Sequence, residues 1–161
     1  RAFGMEVVWW SSEAGRAQAK ADGETVPESR AAFFGTCDVV SLHLRLTSET
    51  RGSVTADDLG AMPPRSVLVN TSRAGLIAEG ALLQALNAGH LGAAAVDVFD
   101  AEPLTDPSDP LLSHPKMIAT PHIGFVTEDE FDKQFADIFE QVNAYAAGAP
   151  IHMINPSVYA P

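Results

Sequence analysis

Positive charge, cysteine and long apolar segments are all scarce in this sequence. Against 21 aspartates and glutamates there are 10 lysines and arginines, which gives a formal net charge of −11. Such a surface repels phosphate groups, so neither a nucleic acid nor an acidic membrane face is an expected partner. The one cysteine, Cys37, cannot form a disulfide within the chain, which favours a reducing, cytoplasmic setting. No apolar run approaches the roughly 20 residues that span a bilayer.

The remaining composition is typical of a folded α/β domain. Of the 161 residues, 46% are hydrophobic, enough for one domain with a buried core. Apolar runs of strand type alternate with segments of helical spacing, which predicts βα units on a parallel sheet. Because the strand runs are apolar throughout, we expect a Rossmann-type doubly wound fold with both sheet faces covered. The predicted strands are Met5–Trp10, Cys37–Leu44, Ser66–Asn70, Gly92–Val98 and Met117–Thr120, and the predicted helices are Glu28–Thr36, Thr55–Met62, Glu79–Ala88 and Thr127 to about Ala147.

Polar residues follow the predicted strands at the edge where ligands bind to open parallel sheets. Arg73 follows the third strand, Glu102 follows the fourth, and His122 follows the fifth. Arginine binds a carboxylate through two parallel hydrogen bonds, and histidine exchanges a proton near neutral pH. A glutamate beside a histidine orients the ring and stabilises its protonated form. The three residues together predict acid–base chemistry on a carboxylate-bearing ligand.

Four segments carry a more specific signal: CDVVSLHLRLTSETRG, VLVNTSRAGLIAEGALLQAL, GAAAVDVFDAEPL and TPHIG. In their order and spacing they resemble the D-isomer-specific 2-hydroxyacid dehydrogenases, which include phosphoglycerate dehydrogenase, glyoxylate/hydroxypyruvate reductase and D-lactate dehydrogenase. The resemblance covers nearly the whole chain. It implies an NAD-dependent oxidoreductase that transfers a hydride between a nicotinamide cofactor and a small 2-keto acid or D-2-hydroxy acid, and that forms a homodimer.

The resemblance also implies a role for each site residue. Arg73 binds the carboxylate and carbonyl of the substrate, His122 is the acid–base residue, and Glu102 holds His122. Asp97 contacts the carboxamide of the nicotinamide. No metal is expected. The other cofactor-binding residues implied are Ser11, His43, Leu44, Thr71, Ser72 and Gly124.

Two departures from the family pattern affect these expectations. No G-x-G occurs in the sequence, although the family places a GxGxxG fingerprint just upstream of the matching region. Residues 1–4 look like the end of a helix with Gly4 as its cap. We therefore expect the first βα unit and most of a substrate domain to lie upstream, with the nucleotide-binding domain at residues 1–148 and a tail at 149–161 that returns toward the substrate domain. Ser11 stands where many members have an acid for the adenosine ribose, so NADP is the alternative cofactor, with Arg16 facing its phosphate.

Two other functions remain open from the sequence. One is a binding module that senses NAD(H) or recruits partners without turnover, and the other is an inactive remnant of such an enzyme. The presence of Arg73, Glu102 and His122 argues against both, and a substrate panel separates them from the enzyme. Taken singly, Arg73 is more often a surface arginine, and His43 is as consistent with strand-end packing as with a cofactor contact.

Overall fold

The computed structural model describes residues 2–159, which form two units that meet in sequence at Gly124. The centre of the first unit is a parallel sheet of four strands, which lie side by side in the order in which they occur in the sequence. Val67 pairs with both Val39 and Ala93, and Ala94 pairs with Met117. All three strand pairs are parallel. This confirms the α/β, Rossmann-like fold. The strands are β1 Val39–Leu42, β2 Val67–Asn70, β3 Ala93–Val96 and β4 Met117–Ala119.

Helices connect the strands and supply the other half of the core. Leu68 of β2 and Ala94 of β3 have no exposed surface, and Leu59 and Leu86 from the helices belong to the same buried cluster. Burial of a leucine side chain is worth about 1.5–3 kcal/mol relative to exposure. The predicted helices of this unit are confirmed, and their ends coincide with the predicted bounds or lie one or two residues inside them. The helices of the first unit are α1 Glu13–Ala21, α2 Arg30–Thr36, α3 Ala56–Ala61 and α4 Ala81–Asn87.

Helix α3 begins with a capping box that also fixes α2. The Thr55 side chain accepts a hydrogen bond from the Asp58 N–H, and the Asp58 carboxylate accepts one from the Thr55 N–H. The guanidinium of Arg30, in the first turn of α2, lies 2.7 Å from both carboxylate oxygens of Asp58. One carboxylate therefore satisfies a helix terminus and joins two helices.

The start of β3 requires a glycine. A Cβ atom at Gly92 would lie 2.3 Å from the backbone oxygen of Arg65, closer than any real contact. Arg65 has a φ of 71°, and its N–H donates to the carbonyl of His90. The turn before β2 and the turn before β3 thus touch through their backbones.

The predicted strand Met5–Trp10 is wrong. Residues 5–10 contain a single bridge, in which Val8 pairs with Thr25, and Met5 is 56% exposed. A strand needs a ladder of hydrogen bonds to a neighbouring strand, and within the described residues this segment has one bridge and no ladder. The stretch after it, to which the sequence assigned no element, contains α1, which is capped by Ser12.

The second unit, residues 125–159 of the described chain, is dominated by α5, Glu128–Ala146. The Thr127 side chain caps it by accepting from the N–H of Glu130 at 3.2 Å. Acidic residues in the first turn favour a helix N-terminus, because they complement its partial positive charge. This confirms the predicted helix. In the segment after it, the Tyr159 hydroxyl donates to the carbonyl of Gly148 at 3.0 Å.

Two further predictions concern the start of the chain and the domain boundary near its end. Gly4 has a φ of 77°, the left-handed conformation typical of a residue that follows a helix, but Arg1 lies outside the described residues. The predicted domain boundary at residue 148 stays a prediction. Among the helices of residues 2–159, none has both the length and the apolar character that a membrane crossing demands.

Candidate active site

Arg73 is placed by a buried asparagine at the carboxyl end of β2. Asn70 is 1% exposed, and its side-chain amide donates to the carbonyl of Arg73 at 2.9 Å. The Asn70 side-chain oxygen accepts from the N–H of Ser72 at 3.1 Å. Both ends of this short loop are therefore tied to one side chain, and the Arg73 guanidinium extends from it into solvent-accessible space.

His122 and Glu102 form the closest acid–base pair of the site. Nδ1 of His122 lies 2.6 Å from Oε2 of Glu102, and each side chain is 34% exposed. The second carboxylate oxygen of Glu102 accepts from the N–H of Phe99 at 2.8 Å. The hydrogen bond with His122, followed by that from Phe99, holds the pKa of Glu102 below its usual value. A carboxylate that stays ionised in this position accepts a hydrogen bond from Nδ1 of His122 and fixes the orientation of the ring.

Asp97 holds the loop that carries His122. It is 4% exposed, and its carboxylate accepts from the N–H of Ile123 at 3.0 Å, from the N–H of Gly124 at 2.8 Å and from the hydroxyl of Thr120. Burial raises the pKa of Asp97, but these hydrogen bonds and the nearby His122 outweigh it, so that the pKa is lower than usual. His122 has a φ of 57°, a conformation that costs free energy for a residue with a Cβ and needs support from its surroundings.

One pocket brings the predicted catalytic residues together. Arg73, Glu102 and His122 all line a cavity of about 280 Å³ at the carboxyl edge of the sheet. Two residues of the site were not predicted from the sequence: Arg51, which lines the same cavity, and Asn70, which positions Arg73. A signal for Asn70 was present, because a polar residue that ends a buried strand needs partners for its amide.

The predicted cofactor-binding residues fall into two groups: those that follow strands of the sheet, and Ser11, which does not. Ser72 and Leu44 meet directly, since the Ser72 hydroxyl donates to the Leu44 carbonyl at 2.8 Å. His43 lies 2.9 Å from the hydroxyl of Ser41, and the Thr71 side chain is exposed. Ser11 is not in this group, because it follows the segment that does not join the sheet.

The residues at this edge fit the nicotinamide end of a dinucleotide. Oδ2 of Asp97 accepts one hydrogen bond, from Gly124, and a carboxylate oxygen has room for a second. An amide NH₂ is a donor of the required kind. A Cβ at Gly124 would lie 2.9 Å from the same oxygen, so glycine allows the backbone of this loop to approach Asp97 closely. The sequence has no glycine-rich turn for the pyrophosphate. No cluster of three or more His, Cys, Asp or Glu side chains within residues 2–159 is arranged to hold a metal ion.

Comparison with known proteins places the chain in a family. Residues 1–124 match the family described as D-isomer specific 2-hydroxyacid dehydrogenase, NAD binding domain. The chain belongs to this family. The resemblance inferred from the four sequence segments is thereby confirmed, and so is the type of domain.

Relatives are similar along almost the whole chain. A D-3-phosphoglycerate dehydrogenase of Bacillus subtilis (strain 168) is 36% identical over 157 residues, which cover 94% of this chain and 28% of that protein. A glyoxylate reductase of Aeropyrum pernix is 33% identical over 159 residues, 98% of this chain and 47% of the relative. The crystal structure of a phosphoglycerate oxidoreductase from Vibrio cholerae O395 has a TM-score of 0.84 and 44% identity, and the match covers 92% of this chain and 47% of that one. The chain thus spans about half the length of these relatives or less.

Proposed function

We propose that the protein containing this chain is an oxidoreductase that transfers a hydride between a nicotinamide cofactor and a small 2-keto acid or D-2-hydroxy acid. The observation that carries the proposal is the 2.6 Å contact between His122 Nδ1 and Glu102 in the pocket that Arg73 lines. The relatives named as phosphoglycerate dehydrogenase and glyoxylate reductase act on small hydroxy or keto acids, which supports this substrate class.

Each of the three side chains has a distinct task in this reaction. Arg73 binds the substrate carboxylate through paired hydrogen bonds and thereby fixes the position of C2. In the reducing direction, His122 gives a proton to the carbonyl oxygen from the ring nitrogen opposite Glu102, and in the oxidising direction it takes the proton back. Glu102 stabilises the protonated ring and holds its orientation.

The cofactor supplies the hydride, and residues at the carboxyl edge of the sheet hold its nicotinamide end. Asp97 accepts a hydrogen bond from the carboxamide, while His43, Leu44, Thr71, Ser72 and Gly124 line the same end. Ser11 lies at the adenosine end. NAD is the proposed cofactor. NADP is the alternative, because the Ser11 side chain carries no charge that would repel a 2′-phosphate and Arg16 is nearby, with its guanidinium bonded to the Ser11 carbonyl.

A matched pair of histidine substitutions tests the proposal. His122 and His152 both have left-handed backbones, with φ of 57° and 55°, and asparagine tolerates this conformation well. In the native protein, His122→Asn is expected to lower kcat for reduction of glyoxylate or hydroxypyruvate by about 100-fold or more, the usual contribution of a general acid. His152→Asn, which removes a histidine from outside the pocket, is the control.

The outcomes separate the alternatives. Equal loss of activity in both variants, or none in His122→Asn, would count against His122 as the proton donor. Binding of NADH or NADPH to the unsubstituted protein with no turnover of any 2-keto acid would favour a non-catalytic binding module. Failure to bind either cofactor would favour an inactive remnant.

The proposal extends to the whole protein. Residues 1–148 form its nucleotide-binding domain, and residues 149–161 lead toward a substrate domain, as the greater length of the relatives supports. The protein works in the cytoplasm as a homodimer, and the acidic surface makes nucleic acids poor partners. An intact mass well above the 17.0 kDa of this chain, and a light-scattering mass twice the intact mass, are the expected results.

A further inference from the structure

A second arginine reaches the pocket that holds Arg73. Arg51 lines this cavity, and its Nη1 atom would lie 2.9 Å from a Cβ atom at Gly75. Gly75 therefore leaves open the space that the Arg51 guanidinium occupies. Leu46, at 3.2 Å from the same Cβ position, forms the apolar side of this space.

The backbone on both sides of Arg51 is fixed by hydrogen bonds. The N–H of Arg51 donates to the carbonyl of Thr47 at 3.0 Å. The N–H of Gly52 donates to the carbonyl of Gly75 at 2.8 Å, and Val54 pairs with the strand-like segment at Ile77. Because these bonds join the Arg51 turn to the segment that follows Arg73, the two arginines extend from one connected piece of backbone.

The charge of Arg51 is not neutralised within the described residues. Its guanidinium takes part in none of their side-chain hydrogen bonds or ion pairs. Of the two acids that line the cavity, Glu102 is paired with His122, and Asp100 is exposed. Arg51 and Arg73 both line this cavity, and neither is ion-paired with an acidic side chain of the described residues. Such a pair favours a ligand with two anionic groups.

We propose that Arg51 determines substrate specificity by binding a second anionic group, so that the preferred substrate is a dianionic 2-keto or D-2-hydroxy acid. The inference rests on the proposed function. Arg73 binds the carboxylate next to C2, and Arg51 binds a phosphomonoester or a second carboxylate at the other end. Both groups accept paired hydrogen bonds from a guanidinium, and the experiment distinguishes them.

The test compares three D-2-hydroxy acids on the native protein. D-glycerate has one carboxylate, D-3-phosphoglycerate adds a phosphomonoester, and D-2-hydroxyglutarate adds a carboxylate. Calorimetry gives the dissociation constants, and absorbance of the reduced cofactor gives kcat/KM. Arg51→Gln is expected to weaken binding of the preferred dianion by about 10- to 100-fold, the usual loss for a charged hydrogen bond, and to change D-glycerate by less than about threefold. The dianion that responds identifies the second group.

Two further variants complete the design. Arg51→Lys keeps the charge but not the paired geometry, so it is expected to restore part of the lost affinity. Arg65→Gln removes an arginine from the opposite end of β2 and is expected to leave all three acids unaffected. Two results for Arg51→Gln would overturn the proposal: an equal loss of affinity for D-glycerate and both dianions, or no loss of affinity for either dianion. In both cases, turnover of D-glycerate would still support the dehydrogenase function. An unsubstituted protein that neither binds nor oxidises any of the three acids would contradict both.

Discussion

The carboxylate of Asp97 lies 2.8 Å from the backbone nitrogen of Gly124, two residues beyond His122. This contact joins the residue after β3 to the loop after β4, across the carboxyl edge of the sheet. With the bond from Ile123 and the Thr120 hydroxyl, it fixes the loop on both sides of His122. The left-handed backbone of His122 is therefore maintained from outside, by a buried acid on the neighbouring strand.

Replacement of Asp97 by asparagine is expected to loosen this loop. An amide has one acceptor oxygen, so at least one of the N–H donors would face an NH₂ group and lose its partner. A buried donor without a partner costs about 1–3 kcal/mol of folding free energy. Hydrogen exchange at residues 122–124 should become faster, and kcat should fall. The control is Asp38→Asn, which removes an exposed carboxylate from the other end of the sheet and should change neither the exchange rate nor kcat. Unchanged exchange in Asp97→Asn would show that the loop does not depend on Asp97.

Glu102 should affect catalysis more than stability. Glu102→Gln keeps the shape of the side chain and an oxygen that accepts from Phe99, but it removes the negative charge beside His122. We expect kcat to fall by about 100-fold, since the protonated ring loses its counter-charge, with little change in the melting temperature. Glu49→Gln, at an exposed site on another loop, is the control. A variant with full activity would mean that His122 does not need the carboxylate.

Stability should depend on pH through Asp58. Burial raises the pKa of Asp58, but bonds from Arg30 and Thr55 outweigh it and leave the pKa below its usual value of 3.8. A carboxylate whose pKa is lower in the folded state contributes stability above its unfolded pKa, and this contribution is lost as pH falls through the folded pKa. Asp58→Asn should cost about 1–3 kcal/mol near neutral pH and less at a pH below the lowered pKa of Asp58. Urea denaturation at both pH values measures this, with the exposed Asp57→Asn as control. An equal cost at both values would exclude the charge as the cause.

Two glycine substitutions should have opposite effects. Gly92→Ala places a Cβ 2.3 Å from the backbone oxygen of Arg65, so the turn or the start of β3 must move, at a cost of about 1–3 kcal/mol. Gly60 is inside α3 with no atom within 4 Å of its Cβ position, so Gly60→Ala should stabilise by about 0.5–1 kcal/mol. Thermal unfolding of the two variants gives the sign directly. Stabilisation by Gly92→Ala would show that the turn is not fixed as described.

Strongly patterned elements were predictable from the sequence, because local signals and packing agree in them. The Thr55 cap, the apolar run at β2 and the spacing in α4 each predict an element that the structure contains. The segment Met5–Trp10 has an equally apolar pattern but is not a strand. Apolar and β-branched residues make a strand favourable only where a neighbouring strand supplies hydrogen bonds, and the sequence of one segment does not contain that information.

The site was predictable to a different degree for each residue. Arg73, Glu102 and His122 were identified because strand ends in a parallel sheet share one edge, and the structure brings them to one pocket. Arg51 was missed because it lies on a turn far from any strand end, and its proximity to the pocket depends on the pairing of Val54 with Ile77. The contact of Asp97 with the His122 loop likewise depends on the side-by-side placement of β3 and β4.

The most direct test of the central claim is the oxidation of NADH and NADPH by the native protein, with glyoxylate, hydroxypyruvate, pyruvate and the dianionic 2-oxoglutarate as acceptors. Chiral analysis of the products formed from hydroxypyruvate and pyruvate completes the measurement. Loss of the reduced cofactor with at least one acceptor, and a product of D configuration, is the predicted result. Binding of the cofactor without any oxidation, or a product of L configuration, would contradict the account.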